Sequence, residues 1–519
     1  MMNKKAYAGL FLIIILASLL FRALQLDLRP MHHDEANQAV KFGILLEEGQ
    51  YFYDKKDHHG PSLYYFTLPF AWIASAKDLS SLNETILRLV PAIFGTALLF
   101  LFFLLKDGLG WNTMLVSCLL AALSPAIVYY NRFYIQETIL VFALIGLTAS
   151  GWKYAQNHSP GWAVAAGIFA GIIYSTKETC IILFVSLLGA LLILYLSSHF
   201  TDFPIKFPRL PASHLIYFLC SAVVISFVLY SSFFQNLKGP VDSILAFKSY
   251  LSRASEYGWH IHPWYYYFKL LGFSKFGSGP LWSESLILLL AVAGSISIFI
   301  RGKISEGRSV FIRFVLFYTI LAAVIYSLIP YKTPWNLLPF YMGFVMLAGR
   351  GAVFLIKISK SYIIRPLIFT ALALGIINLG IQSYKANFKF YENPQNPYVY
   401  AQTSHDFIKL TNRIQVLTEY HPEGKHMLIK VIAGPYQTWP LPWYLRGFKR
   451  VGYWQNTSDT GNLTEAPVII SSLEETDKIM NSLQDLYITE YYQLRPGVLM
   501  ALHIKKDLWN SFLESRQDK

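Results

Sequence analysis

Runs of about 20 apolar residues, the length that crosses a hydrocarbon core of about 30 Å as an α-helix, recur along the first three quarters of this 519-residue chain. Hydrophobic residues make up 54% of it and charged residues only 14%, a balance more apolar than that of a soluble domain. The mean hydropathy of +0.39 agrees. The sequence therefore predicts a polytopic α-helical membrane protein. Its first run, 7–24, lacks a small-residue cleavage site and is followed by many others, so it is expected to remain as a span rather than be removed as a signal peptide.

Further spans are expected at 86–105 and near 112–130, 134–152, 161–176, 180–197, 213–234, 281–300, 311–329, 334–356 and 362–382, about eleven crossings with the first. Lys4 and Lys5 place the N-terminus in the cytoplasm, because positive charge concentrates on that side. The same rule assigns to cytoplasmic loops Lys106, Lys153, Lys206, Arg209, Arg301, Lys303, Arg308, Arg313, Lys357, Lys360 and Arg365. These loops account for much of the net charge of +13, so nucleic acid is not expected as a partner; the partner is the lipid bilayer of the cell membrane. Cys118, Cys180 and Cys220 fall within apolar runs without metal-ligand or CxxC spacing and are expected to be buried thiols.

Two segments of the first outer loop are too short to cross. In 34–48, Ala36, Ala39, Val40, Gly43 and Ile44 recur at helical spacing and Gly49 supplies a stop. An aromatic-rich segment then opens at Gly60-Pro61, and only a non-crossing path for it keeps Lys106 cytoplasmic. Both are predicted to be interfacial helices. The chain is expected to divide into a membrane domain, 1–382, and a small extracytoplasmic α/β domain, 383–519. In the latter, "AQTSHDFIKLTNRIQVL" has helical character and "HMLIKVIA", "APVIISS" and "PGVLMALHI" are strand candidates.

Chemistry-bearing residues gather at the outer junctions. Asp34 and Glu35 open the first interfacial helix beside His32 and His33, where negative charge suits the helix macrodipole and Asp34 also suits an N-cap. Arg132 and Glu137 lie where the chain re-enters the membrane; an ionisable residue there often marks function, although Glu137 also fits a first-turn charge. Lys177 and Glu178 join two spans and fit either a site or a local ion pair. Lys332 and Trp335 fit a site or an interfacial anchor, and Arg88 a site or a snorkelling cation. His58 and His59 suit substrate binding more than metal ligation. Three short outer turns each offer a cation, Arg132, Lys177 and Lys332, as an anionic lipid head group requires. In the tail, Trp439 and Arg446 of "QTWPLPWYLRGF" suit either a sugar or packing against the membrane domain.

The ordered series "MHHDEANQAV", "HHGPSLYYFTL", "RLVPAIFGTALL", "YYNRFYIQET", "STKE", "YKTPWNLLPFY" and "TWPLPWYLR" resembles the GT-C superfamily of membrane glycosyltransferases. It is most similar to the flippase-activity-associated family and more distantly to protein O-mannosyltransferases and aminoarabinose transferases. The resemblance implies inverting transfer of a sugar from a polyprenyl-phosphate donor to a glycan, lipid or protein acceptor on the outer face. It gives Asp34 the role of the first-loop acidic residue. Glu137 stands where relatives often have aspartate. On this reading Asp34, Glu35 and Glu137 are the catalytic set, with Asp34 the base. His33, His58, His59, Arg88, Arg132, Lys177, Glu178, Lys332, Trp335, Trp439 and Arg446 are the substrate-binding set. Positive side chains, or a divalent cation such as Mg or Mn, would stabilise the leaving phosphate. The rival readings are a lipid-linked sugar flippase and a non-catalytic component of a glycan-assembly complex.

Overall fold

The computed structural model describes residues 3–55, 59–199, 210–253, 260–300, 309–359 and 361–517. His58, Lys206, Arg209, Arg301, Lys303, Arg308 and Lys360 lie outside the described residues. The membrane part runs α1 (Lys4–Ala23), α2 (His33–Glu48), α3 (Ser62–Ile73), α4 (Glu84–Leu104), α5 (Lys106–Leu109), α6 (Trp111–Leu123), α7 (Pro125–Tyr130), α8 (Glu137–Asn157) and α9 (Pro160–Tyr174). It continues through α10 (Cys180–His199), α11 (Ala212–Tyr230), α12 (Gly239–Arg253), α13 (Tyr266–Gly272), α14 (Ser285–Ile296), α15 (Ser309–Leu328), α16 (Leu338–Ile358) and α17 (Ile364–Tyr384).

Among the described residues, eight helices are long and apolar enough to cross a membrane: α1, α4, α8, α10, α11, α15, α16 and α17. Three further expected spans, α6, α9 and α14, are shorter apolar helices. The expected run 112–130 is two helices because Pro125 cannot continue α6; Ser124 instead caps α7, its hydroxyl accepting the Ile127 amide at 3.3 Å. Helix α16 is the most enclosed of the long helices, whereas α11 and α17 have almost no fully buried residues in their apolar stretches. Cys118 and Cys180 are buried as expected, but Cys220 is exposed on α11, because that helix turns its apolar surface outward.

Glycines let the helices close on one another, a common device where lipid gives no hydrophobic drive to helix association. A Cβ on Gly167 of α9 would lie 2.0 Å from Ser221 Oγ and 2.2 Å from the Phe218 carbonyl of α11. On Gly351 of α16 it would lie 1.8 Å from the Leu290 carbonyl of α14. At one end of the bundle Lys153 Nζ pairs with Asp107 at 2.5 Å, beside Lys106. The opposite end carries α2 and α3, neither of which is among the helices long and apolar enough to cross. Helix α2 stops at Gly49, whose φ of 71° places it in the left-handed region that glycine adopts without strain.

The C-terminal part holds α18 (His405–Leu417), β1 (Ile429–Ile432), α19 (Pro435–Thr438), α20 (Leu441–Tyr444), β2 (Val451–Trp454), β3 (Val468–Ser472), α21 (Leu473–Leu483), β4 (Tyr487–Arg495), β5 (Val498–Lys505) and α22 (Lys506–Gln517). The sheet order is β2-β1-β3-β5-β4. Strand β1 is parallel to both β2 and β3, and β5 is antiparallel to both β3 and β4. Side chains alternate between its two faces. Val431 and Ile470 pack with Phe407, Leu410 and Ile414 of α18, while Ile432 and Ile469 pack with Ile479 and Leu483 of α21.

Candidate active site

Helix α2 begins on a capping box in which the cap is His32, not Asp34. The Asp34 amide donates to His32 Nδ1 at 3.0 Å, and the His32 amide donates to Glu35 Oε2 at 3.1 Å. A neutral ring that accepts at Nδ1 carries its proton on Nε2, and Nε2 donates to the Tyr400 carbonyl at 3.0 Å. Burial holds the His32 pKa below the ordinary range against the opposing pull of Asp34 and Glu35, consistent with that neutral form. Relieved of capping, Asp34 turns outward; its side chain is 36% exposed and its carboxylate lies 3.9 Å from His32 Nδ1.

Glu35 has a different place. It is fully buried, with Oε1 accepting from Arg88 Nε at 2.7 Å and Oε2 from Arg88 Nη2 at 2.7 Å. Oε1 also accepts the Tyr134 amide at 2.9 Å and lies 3.5 Å from Arg29 Nη2. Burial pushes the Glu35 carboxyl up, but the Arg88 and Arg29 guanidiniums outweigh it and hold its pKa at about 2. Arg88 also donates to the carbonyls of Leu26, Arg29 and Pro30. Glu35 and Arg88, expected at the substrate, thus brace the turn that presents Asp34.

A polar strip leads inward from Asp34. Gln38, four residues on and so on the same helical face, accepts from Gln136 Nε2 at 2.8 Å and from the Tyr64 hydroxyl. Gln136 adjoins Glu137, the first residue of α8, and Glu137 pairs with Lys177. Lys177 donates in addition to Asn336 Oδ1 at 3.3 Å. Both Glu137 and Lys177 are buried, which makes their pairing necessary, since an unpaired charge there would be costly. Lys177 therefore does not form the local ion pair with Glu178. Glu178 instead accepts from the Tyr53 hydroxyl at 2.9 Å and lies 2.8 Å from His59 Nδ1. Burial raises the Glu178 pKa, but His59 and the Tyr53 hydroxyl more than offset it, leaving it below the usual carboxylate range.

The other expected cations hold backbone. Arg132 donates to the carbonyls of Phe21, Arg22, Leu24 and Gln25 and so closes the C-terminal end of α1. Lys332 donates to the carbonyls of His262, at 3.0 Å, and Ile329, at 2.5 Å. Trp335 is buried, its ring 5.8 Å from those of His32 and Tyr400. His33 and Trp439 meet with ring centroids 6.1 Å apart. Arg446 donates to the carbonyls of Trp443 and Leu82 and lies 3.7 Å over the Trp443 ring, docking the tail on the start of α4. Sequence reasoning did not single out Tyr400, whose carbonyl accepts from His32 Nε2, or His260, whose Nδ1 bonds the Tyr400 hydroxyl. Nor did it single out Gln38, which four-residue spacing from Asp34 signals. Among the described residues no three His, Cys, Asp or Glu side chains are grouped to hold a metal ion.

An apolar groove of about 1180 Å³ runs between α8, α9, α10, α11, α12 and α15. One helical face of α10, Phe184, Leu187, Leu188, Leu191 and Leu194, lines it, and Tyr174 and Tyr230 close one end. The Tyr230 ring lies 4.9 Å from that of Tyr53, the partner of Glu178. The groove thus ends beside the turn that carries Lys177 and Glu178.

Comparison with solved structures decides the fold. Over 96% of its length the chain superposes on 98% of ArnT from Cupriavidus metallidurans bound to undecaprenyl phosphate, with a TM-score of 0.60 and 13% identity. The chain has the GT-C fold. Over 98% of its length the chain also superposes on 77% of the Archaeoglobus fulgidus oligosaccharyltransferase, with a TM-score of 0.57 and 12% identity. A structure of that enzyme, AglB, with an inhibitory peptide and a dolichol-phosphate superposes with a TM-score of 0.54, 12% identity and the same coverage. Residues 67–229 match the family described as dolichyl-phosphate-mannose-protein mannosyltransferase. No curated protein matches the sequence.

Proposed function

We propose that this protein is a glycosyltransferase that moves a sugar, with inversion, from a polyprenyl-phosphate donor to a glycan, lipid or protein acceptor at the outer face of the cell membrane. One observation carries the reading: a strip of polar side chains, from Gln38 and Gln136 to the paired Glu137 and Lys177, links the helix that presents Asp34 to the end of an apolar groove. The groove suits a prenyl chain and the strip suits its phosphate and sugar. Two structures of the same fold hold undecaprenyl phosphate and a dolichol-phosphate, which supports this donor class. Lys4, Lys5, Lys106 and Lys153 belong to the opposite end of the bundle, which supports an outer active site.

Asp34 takes the proton of the acceptor hydroxyl as that oxygen attacks the anomeric carbon. The bond from that carbon to the phosphate oxygen breaks through an oxocarbenium-like state, and negative charge grows on the leaving polyprenyl phosphate. Lys177 has three N–H donors; Glu137 and Asn336 orient it by taking two, and the third serves a phosphate oxygen. His59 and Glu178 sit at the groove end where the phosphate would enter.

The test is release of free polyprenyl phosphate from a panel of lipid-linked sugars by the purified protein. Asp34→Asn is expected to lower turnover by about 10²- to 10⁴-fold, the usual worth of a general base, while keeping the fold. If no donor is cleaved and labelled lipid crosses vesicles equally with both proteins, a flippase replaces the transferase.

A further inference from the structure

We propose that the C-terminal part of the chain is the positioning element for Asp34 and that His32 is the residue through which it acts. The inference rests on the transferase reading. Pro30, Met31 and His32, the residues that lead into α2, have no regular secondary structure, so their geometry is set by bonds from elsewhere. Each is gripped by a residue 368 to 413 positions later in the chain. Gln402 Nε2 donates to the Pro30 carbonyl at 2.8 Å, the Met31 amide donates to the Tyr444 hydroxyl at 2.7 Å, and His32 Nε2 donates to the Tyr400 carbonyl at 3.0 Å.

Arg88 grips the same turn through the carbonyls of Leu26, Arg29 and Pro30. Met31, His32 and Glu35 are buried, while the Asp34 side chain is 36% exposed. His32 links the tail to Asp34 directly. One ring nitrogen bonds the tail-side carbonyl and the other receives the Asp34 amide, so a shift of the 400–402 segment reaches Asp34 through a single rigid ring. The tail-side segment is fixed in turn: the Tyr400 hydroxyl bonds His260 Nδ1, and Lys332 holds the His262 carbonyl. Reacting groups tolerate little displacement, and about 1 Å costs about 100-fold in rate.

The experiment uses the full-length protein and four variants, Tyr444→Phe, Gln402→Leu, His32→Asn and His32→Ala. The expected result is a kcat about tenfold lower in Tyr444→Phe and in Gln402→Leu, with donor KM within about twofold of wild type. His32→Asn, whose side-chain oxygen can still cap the Asp34 amide, retains more kcat than His32→Ala. Hydrogen exchange of the 30–36 backbone, which needs no turnover, is faster in Tyr444→Phe and Gln402→Leu. Unchanged exchange in both, or faster exchange with kcat intact, overturns the proposal. If the wild type cleaves no donor, the transferase reading falls and exchange alone decides whether the tail holds this turn.

Discussion

At the residue scale the Arg88–Glu35 pair shows how a charged site is made to serve geometry. Both carboxylate oxygens are engaged in a fully buried setting, so removing one partner strands the other. Arg88→Met is expected to destabilise the protein by about 3–5 kcal/mol, read from denaturant unfolding in detergent. The same pair sets a pH window. The Glu35 pKa falls from an ordinary 4.5 to about 2 on folding. Its contribution is therefore complete above about pH 4.5 and lost as the pH falls through about 2. Thermal midpoints should drop across that window in the wild type and drop less in Glu35→Gln. Sequence alone drew attention to this stretch, because two imidazoles and two carboxylates in a membrane loop are conspicuous. It did not show that Glu35 faces inward while Asp34 faces outward. That division follows from His32 taking the cap and from Arg88, 53 residues on, meeting Glu35.

At the element scale, close approach of helices rests on small residues. Gly167 and Gly171 of α9 both face α11, where a Cβ on either would meet backbone oxygen, at 2.2 Å from Phe218 and 2.7 Å from Ala222. Gly167→Val is expected to force the two helices apart and cost about 1–3 kcal/mol. Gly161→Ala in the same helix, with only Ser159 Oγ nearby at 3.7 Å, should be neutral or slightly stabilising. Thermal unfolding of the two variants side by side distinguishes packing from helix propensity. The apolar helices were legible because run length is a strong signal. In the tail, β1, β3 and β5 were legible and β2 and β4 were not. The two missed strands are the sheet edges; half-exposed edges carry polar residues and a weaker apolar pattern, as in "YITEYYQLR" of β4.

At the scale of the whole molecule, the proposed function draws on three regions that the sequence keeps apart: the first loop with Asp34, the α9–α10 turn with Lys177, and the tail segment from Tyr400 to Tyr444. Their convergence is a property of the fold, which is why Tyr400, Gln402 and Tyr444 were not singled out as partners of the first loop, although Tyr444 lies within "TWPLPWYLR". The groove is also a property of assembly, since six helices contribute to it and none of them forms it alone. Its length gives a test of how donor and protein fit. The α10 face from Phe184 to Leu194 extends about 15 Å at about 1.5 Å per residue, long enough for several isoprene units. Ala222 lines this wall on α11, and Ala222→Trp would fill part of the groove without touching the polar strip. The expected result is a KM raised about tenfold for a long-chain donor, equivalent to about 1.4 kcal/mol of lost binding, with kcat unchanged. A donor of two isoprene units, too short to reach Ala222 from the Tyr174–Tyr230 end, should keep its wild-type KM. An equal effect on short and long donors would place the prenyl chain outside the groove, because only a chain that lies along α10 has its affinity graded by length.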